Sequence, residues 1–285
     1  MQMTDWISEI VTGSFWKAVD TIIENMLNYM YDFLSQVIVQ PTEPAKYIQN
    51  FDQYLKGVQF FAGGLLVIFV IWSVFRQLSG VMYTDEKSMG SYFIHITFAG
   101  ALIYILPKAV TLVFLPINNA LIKFISSVGI DVSAIDNTMQ TVWGFYLQEE
   151  TSKIMFLILI IAIFVLGIAG AIRYIEAIIA ILVSPLVALS LINNSDGLQV
   201  WLRELTAIVF TQTIHFLILQ ILLSIIGGVQ NLTVMIILSI GTIAVGLRGP
   251  QILRQYLYRT GTSSALVSSL GSASRLGMMS IIIKR

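Results

Sequence analysis

The chain has 285 residues, a formal net charge of zero, 56% hydrophobic and 11% charged residues, and a mean hydropathy of +0.83. Soluble domains run near half apolar and a quarter charged, so this composition marks an integral membrane protein. Zero net charge provides no global field to recruit nucleic acid or cations, and the lack of cysteine excludes disulfides, thiolate metal sites and cysteine nucleophiles.

The opening stretch, MQMTDWISEIVTGSFW, lacks a basic segment followed by an apolar core and a small-residue cleavage site, so no signal peptide is expected. Phe15, Val19, Ile22, Met26, Tyr29 and Phe33 then recur at spacings of four and three. Trp16, Ile23, Leu27, Met30 and Leu34 flank them, with Lys17, Asp20, Glu24 and Asn28 opposite. This spacing predicts an amphipathic helix that lies at the membrane surface or packs on other helices rather than crossing the bilayer. Pro41 and Pro44 end it, since proline cannot continue the hydrogen-bond ladder.

A span needs about 17 to 25 mainly apolar residues. Candidates fall at 57–76, 92–115, 154–172, 174–192, 205–226 and 232–247. The expected organisation is therefore an N-terminal region at 1–56 with the amphipathic helix and a polar linker, then a transmembrane domain at 57–247 with a long polar loop at 116–153. A short basic tail at 248–285 follows. The fold class is all-α, a polytopic membrane protein with five or six transmembrane helices. Arg248, Arg254, Arg259, Arg275, Lys284 and Arg285 follow the last span with no acid among them, which predicts a cytoplasmic C-terminus. Six crossings put the N-terminus in the cytoplasm, whereas five put it outside, which suits the seven acids and three lysines of the first 56 residues. A short last segment, or a hairpin at 172–177 that only dips into the bilayer, are two routes to five.

Polar residues inside apolar segments are the candidate functional positions, because each is costly in hydrocarbon unless paired or facing water. Arg173 and Glu176 stand three apart and are expected to pair, closing the connection between the third and fourth candidates. Ala180, Ser184 and Ala188 recur every fourth residue, a face that lets another helix or another copy approach closely, and Pro185 invites a kink. In the fifth candidate Thr211, Gln212, Thr213, His215, Gln220 and Ser224 spread over more than half the helix circumference, so protein or a wet cavity should surround it. His215 is read as a hydrogen-bonded packing residue, since the only other histidine is His95 and no Asp or Glu lies mid-span. No metal site or cofactor is expected. With no H-E-x-x-H, G-x-S-x-G or G-x-x-x-x-G-K motif, the chain reads as a non-enzyme. Trp201, Arg203, Arg248, Arg254 and Arg259 are candidate contacts for lipid or a partner.

The stretches AIRYIEAIIAILVSPLVALSLINNSDGLQVWLRELTAIVFTQTIHFLILQ and IAVGLRGPQILRQYLYRTGT together resemble the TrbL-like polytopic inner-membrane components of type IV secretion and conjugation systems. The resemblance covers roughly residues 150–262. It implies around five spans in the bacterial inner membrane, an outward N-terminal part, a cytoplasmic C-terminus, and a share in the passage through which DNA or protein moves. Implied partners are copies of the chain, other secretion subunits including a cytoplasmic ATPase, membrane lipid, and transient contact with transferred DNA. The rival reading of the residues is a stand-alone solute transporter or permease.

Overall fold

A computed structural model of the protein describes residues 3–79, 89–129, 150–192 and 196–259. These are almost wholly helical, with no strand among the described residues. In chain order the helices are α1 (Met3–Leu34), α2 (Pro44–Tyr47), α3 (Phe51–Leu78), α4 (Met89–Ala109), α5 (Leu115–Val128), α6 (Glu150–Ala188), α7 (Gly197–Gly228) and α8 (Leu232–Arg259). A π turn, Ser35–Val39, extends α1, and a second, Val110–Phe114, joins α4 to α5.

Local chemistry sets the boundaries. The π turn after α1 closes with the Gln40 amide on the Ser35 carbonyl at 2.9 Å, and Pro41 then blocks any further turn. Asn50 takes a left-handed φ of 61°, a conformation asparagine tolerates, and its carbonyl accepts from the Gln53 and Tyr54 amides as α3 begins. Asn231 caps α8, its Oδ1 accepting from the Val234 amide at 3.1 Å.

Five stretches are long and apolar enough to cross a membrane: Phe51–Phe75, Phe93–Val128, Ser152–Leu191, Gly197–Gly228 and Leu232–Tyr258. The chain is thus a membrane-embedded, all-α polytopic protein with five candidate spans. The sequence candidates at 154–172 and 174–192 are one continuous stretch of 40 residues, about 60 Å long at 1.5 Å per residue. No hairpin breaks it at 172–177. The charged pair there interrupts the hydropathy but supplies no glycine, proline or asparagine to turn the chain. Residues 116–128, read from sequence as the start of a loop, are helical. Residues 150–153 of that expected loop open α6, while residues 130–149, residues 80–88 and the tail beyond Arg259 lie outside the described residues.

The chain divides into two compact units. Unit 1 takes its described residues from 1–41, 118–174 and 211–249, so it holds α1, α5, the first part of α6, the second part of α7 and most of α8. Its core joins Val19, Ile23, Met30 and Leu34 of α1 to Phe156, Ile160 and Ile163 of α6, Phe216 and Leu223 of α7, and Met235 of α8. The buried side of α1 is therefore rotated from the expected stripe. Ile23, Met30 and Leu34 face inward, while Phe15, Ile22 and Tyr29 are exposed, Tyr29 by 75%. The reason is where α6 comes closest: a Cβ on Gly167 would run into the Phe33 ring, and one on Gly170 would meet Val37 at 3.0 Å. Two missing side chains on α6 fix which face of α1 turns inward.

Unit 2 takes its described residues from 42–117, 175–210 and 250–259. Its core packs Ala62 of α3 and Ala99, Ile103 and Leu106 of α4 against Ala188, Leu189, Ile192 and Leu198 at the α6–α7 corner.

Candidate functional site

The site sits in unit 1 and is built around one amide. Gln212, on α7, is 1% exposed. Its Nε2 donates to the Ile38 carbonyl at 3.0 Å and to the Gln40 carbonyl at 2.8 Å. Its Oε1 accepts from Asn118 Nδ2 at 2.9 Å and from Arg173 Nη1 at 2.8 Å. Thr213 Oγ1 completes the knot by donating to Asn118 Oδ1 at 2.7 Å. Each helix end leaves carbonyls without intrahelical donors, and an apolar surrounding offers no water to satisfy them. Gln212 supplies both donors where α1 ends, and the same side chain fastens α5 and α6.

Arg173 is 3% exposed and turns to Gln212, while Glu176 lies 3.8 Å from Arg254. The two belong to different units, so the expected Arg173–Glu176 pair gives way to partners far off in sequence. Gln220 is buried one helical stretch further along α7, packed where a Cβ on Gly129 would stand 2.5 Å from its Oε1.

His215 is 1% exposed, with Arg173 as its charged neighbour. The polar group beside its ring is the backbone of Gly246, although neither ring nitrogen reaches hydrogen-bond geometry. Gly246 stands four residues before Pro250 inside α8, and proline has no N–H to donate to the carbonyl four residues back. His215 is thus buried as expected of a packing residue, but the expected hydrogen bond is not made by either ring nitrogen. Two other in-helix prolines do have a side-chain donor at the carbonyl they free. Pro107 frees the Ile103 carbonyl, and Gln59 Nε2 donates to it at 3.4 Å. Pro185 frees the Ile181 carbonyl, and Ser184 Oγ donates to it at 2.6 Å.

The remaining sequence candidates lie in unit 2, except Arg248. Ser184 and Ala188 are fully buried and Ala180 is half-buried, its carbonyl accepting from Trp201 Nε1 at 3.1 Å. Within unit 2, Ala188 of that small-residue face packs against Ala62 and Ala99 of the chain's own helices. Arg254 Nε lies 3.0 Å from Glu204 Oε2, Tyr258 Oη donates to Glu204 Oε1 at 2.8 Å, and Arg203 stands over the Tyr258 ring at 5.5 Å. Trp201, Arg203 and Arg254 each make a contact inside unit 2. Arg248 is exposed, and the Arg259 side chain lies outside what the structure describes. Among the described residues, no three of His, Cys, Asp and Glu gather where they would hold a metal ion.

Sequence reading missed Asn118, because Pro116 and the Asn118–Asn119 pair look like a turn. Ile117, Leu121, Ile122 and Ile125 carry the helical spacing that would have found it.

Replacing Gln212 by Leu strands two backbone carbonyls and the Asn118 and Arg173 donors. Since each unsatisfied buried group costs about 1–3 kcal/mol, the variant is expected to lose roughly 2–4 kcal/mol, read as a lower melting midpoint in detergent. Unchanged melting would contradict the knot.

The family model described as conjugal transfer protein TrbL matches residues 5–284, nearly the whole chain, so the chain belongs to that family. No curated protein and no solved structure matches it.

Proposed function

We propose that this member of the TrbL conjugal transfer family is a subunit of the inner-membrane passage of a conjugative type IV secretion machine, working as several copies around a shared path. The family match over residues 5–284 carries this reading. The buried polar groups support it. Gln212, Asn118, Arg173 and Thr213 are used on one another and on the end of α1, an arrangement that holds helices rather than one that turns over a substrate.

Charge supports an orientation. Five crossings put the two ends of the membrane domain on opposite sides. Residues 248–285 hold six basic residues and no acid, and residues 1–56 hold seven acids and three lysines. A cytoplasmic C-terminus and an outward α1 satisfy both counts under the rule that lysine and arginine stay inside. Arg248, exposed at the cytoplasmic part of α8, is the described basic side chain best placed for lipid or a cytoplasmic ATPase.

An in-frame deletion of the gene in a donor cell tests the proposal. Transfer frequency is expected to fall by orders of magnitude with donor growth unchanged, and to return when the gene is supplied in trans. Undiminished transfer would overturn the proposal, as would saturable uptake of a small solute by the purified chain in vesicles.

A further inference from the structure

Past Gly249, α8 changes character. Its buried apolar side chains end at Ile243, and no residue from Pro250 to Tyr258 is buried. Tyr256 is 65% exposed, Ile252 and Tyr258 are exposed as well, and Leu253 and Leu257 are half-buried. The unit 2 core around Ala62, Ala99, Ile103 and Leu189 takes no residue from this segment. Pro250 opens the segment with a residue that cannot donate to the carbonyl four residues back, so the helix is weakest where the segment begins.

The contacts that fasten the segment are polar and converge on one carboxylate. Glu204, in the second turn of α7, accepts from Tyr258 Oη at 2.8 Å on Oε1 and faces Arg254 Nε at 3.0 Å with Oε2. Arg254 Nη2 also stands 3.8 Å from Glu176 of α6, at the outer limit of an ion pair, and Arg203, next to Glu204, lies over the Tyr258 ring at 5.5 Å. All five residues belong to unit 2. The side chains of Glu176, Glu204 and Arg254 are each about a third exposed or more, and pairs as open as these contribute little one by one. Glu204 nevertheless receives both Tyr258 and Arg254, so the loss of one carboxylate removes two contacts together.

We propose that residues 250–259 of α8 are a strap that hinges at Pro250 and is latched onto α7 by Glu204. Closed, the strap lies against the start of α7. Open, Arg254 and Tyr258 swing clear of Glu204, and their donors become available to an anionic group. Weak contacts that share one hub keep the two forms close in free energy, which is the condition for a strap that a modest change in charge can release. The inference stands apart from the passage reading, and its failure leaves the transfer assay untouched.

The chain has no cysteine, so pairs of introduced cysteines carry spin labels without background. One pair, Val200→Cys on α7 and Gln255→Cys on the strap, uses exposed positions outside the latch. A second pair, Val67→Cys on α3 and Tyr104→Cys on α4, reports on the part of unit 2 that should not move. Distances are read by pulsed dipolar spectroscopy on the full chain in lipid nanodiscs. With Glu204 in place, the Val200–Gln255 pair is expected to give one narrow distance. E204Q is expected to add a longer, broader component and to raise the open-to-closed ratio about five-fold, with the Val67–Tyr104 distance unchanged. Y258F removes only the phenol hydroxyl and is expected to shift the first pair the same way by less, in a chain that keeps both carboxylates. An unchanged Val200–Gln255 distance in either variant would overturn the proposal. So would a broad distribution before any substitution, which means no latch, or movement of both pairs together, which means that Glu204 supports the whole unit rather than the strap.

Discussion

A buried backbone carbonyl in a membrane protein has no water to fall back on, and the end of α1 presents two of them to the interior of unit 1. Gln212 answers both with one side chain. A glutamine suits the position because its amide carries two donors and an oxygen that accepts twice, so it satisfies its neighbours without importing a charge. The oxygen is occupied by Asn118 and Arg173, which ties α5 and α6 into the same point. Where hydrophobic burial gives little drive between helices already in an apolar solvent, packing and such hydrogen bonds decide which helices stay together. The glycines of α6 work with the knot. Gly167 and Gly170 let α1 lie close, and Gln212 fixes where it stops.

The same constraint explains the prolines. Each in-helix proline frees a carbonyl four residues back, and two of these carbonyls receive a side-chain donor: Gln59 at Ile103 and Ser184 at Ile181. His215 is buried in α7 with neither ring nitrogen hydrogen-bonded. Ser184, which in sequence belongs to a small-residue face, is doubly used, as a small side chain and as a local donor.

Much of the architecture could be read before the structure. Hydropathy located every apolar stretch, since a window of about twenty residues answers to the bilayer itself, and the 3.6-residue period located α1 and its end at Pro41. The spans at 154–172 and 174–192 were miscounted because a helix twice the bilayer thickness, interrupted by Arg173 and Glu176, has the hydropathy profile of two short ones. Gln212 and Arg173 were visible as costly polar residues. Their partners were not, because Gln212 bonds to carbonyls more than 170 positions away and a backbone carbonyl has no sequence signature. The rotation of α1 was hidden for a related reason: apolar residues cover more than half its circumference, and only the approach of Gly167 selects which of them turn inward.

The end of α1 is where the buried polar groups converge, and Gln212 pins it there. The claim tested first is the pin. Amide hydrogen exchange over Ser35–Gln40 in the detergent-solubilised protein, compared between the natural chain and Q212L, reads it directly. Loss of 1.4 kcal/mol of local stability corresponds to about tenfold faster exchange, so acceleration of tenfold or more confined to this segment and the adjoining end of α1 is the expected result. Exchange that is unchanged there, or that rises uniformly across all helices, would contradict the account.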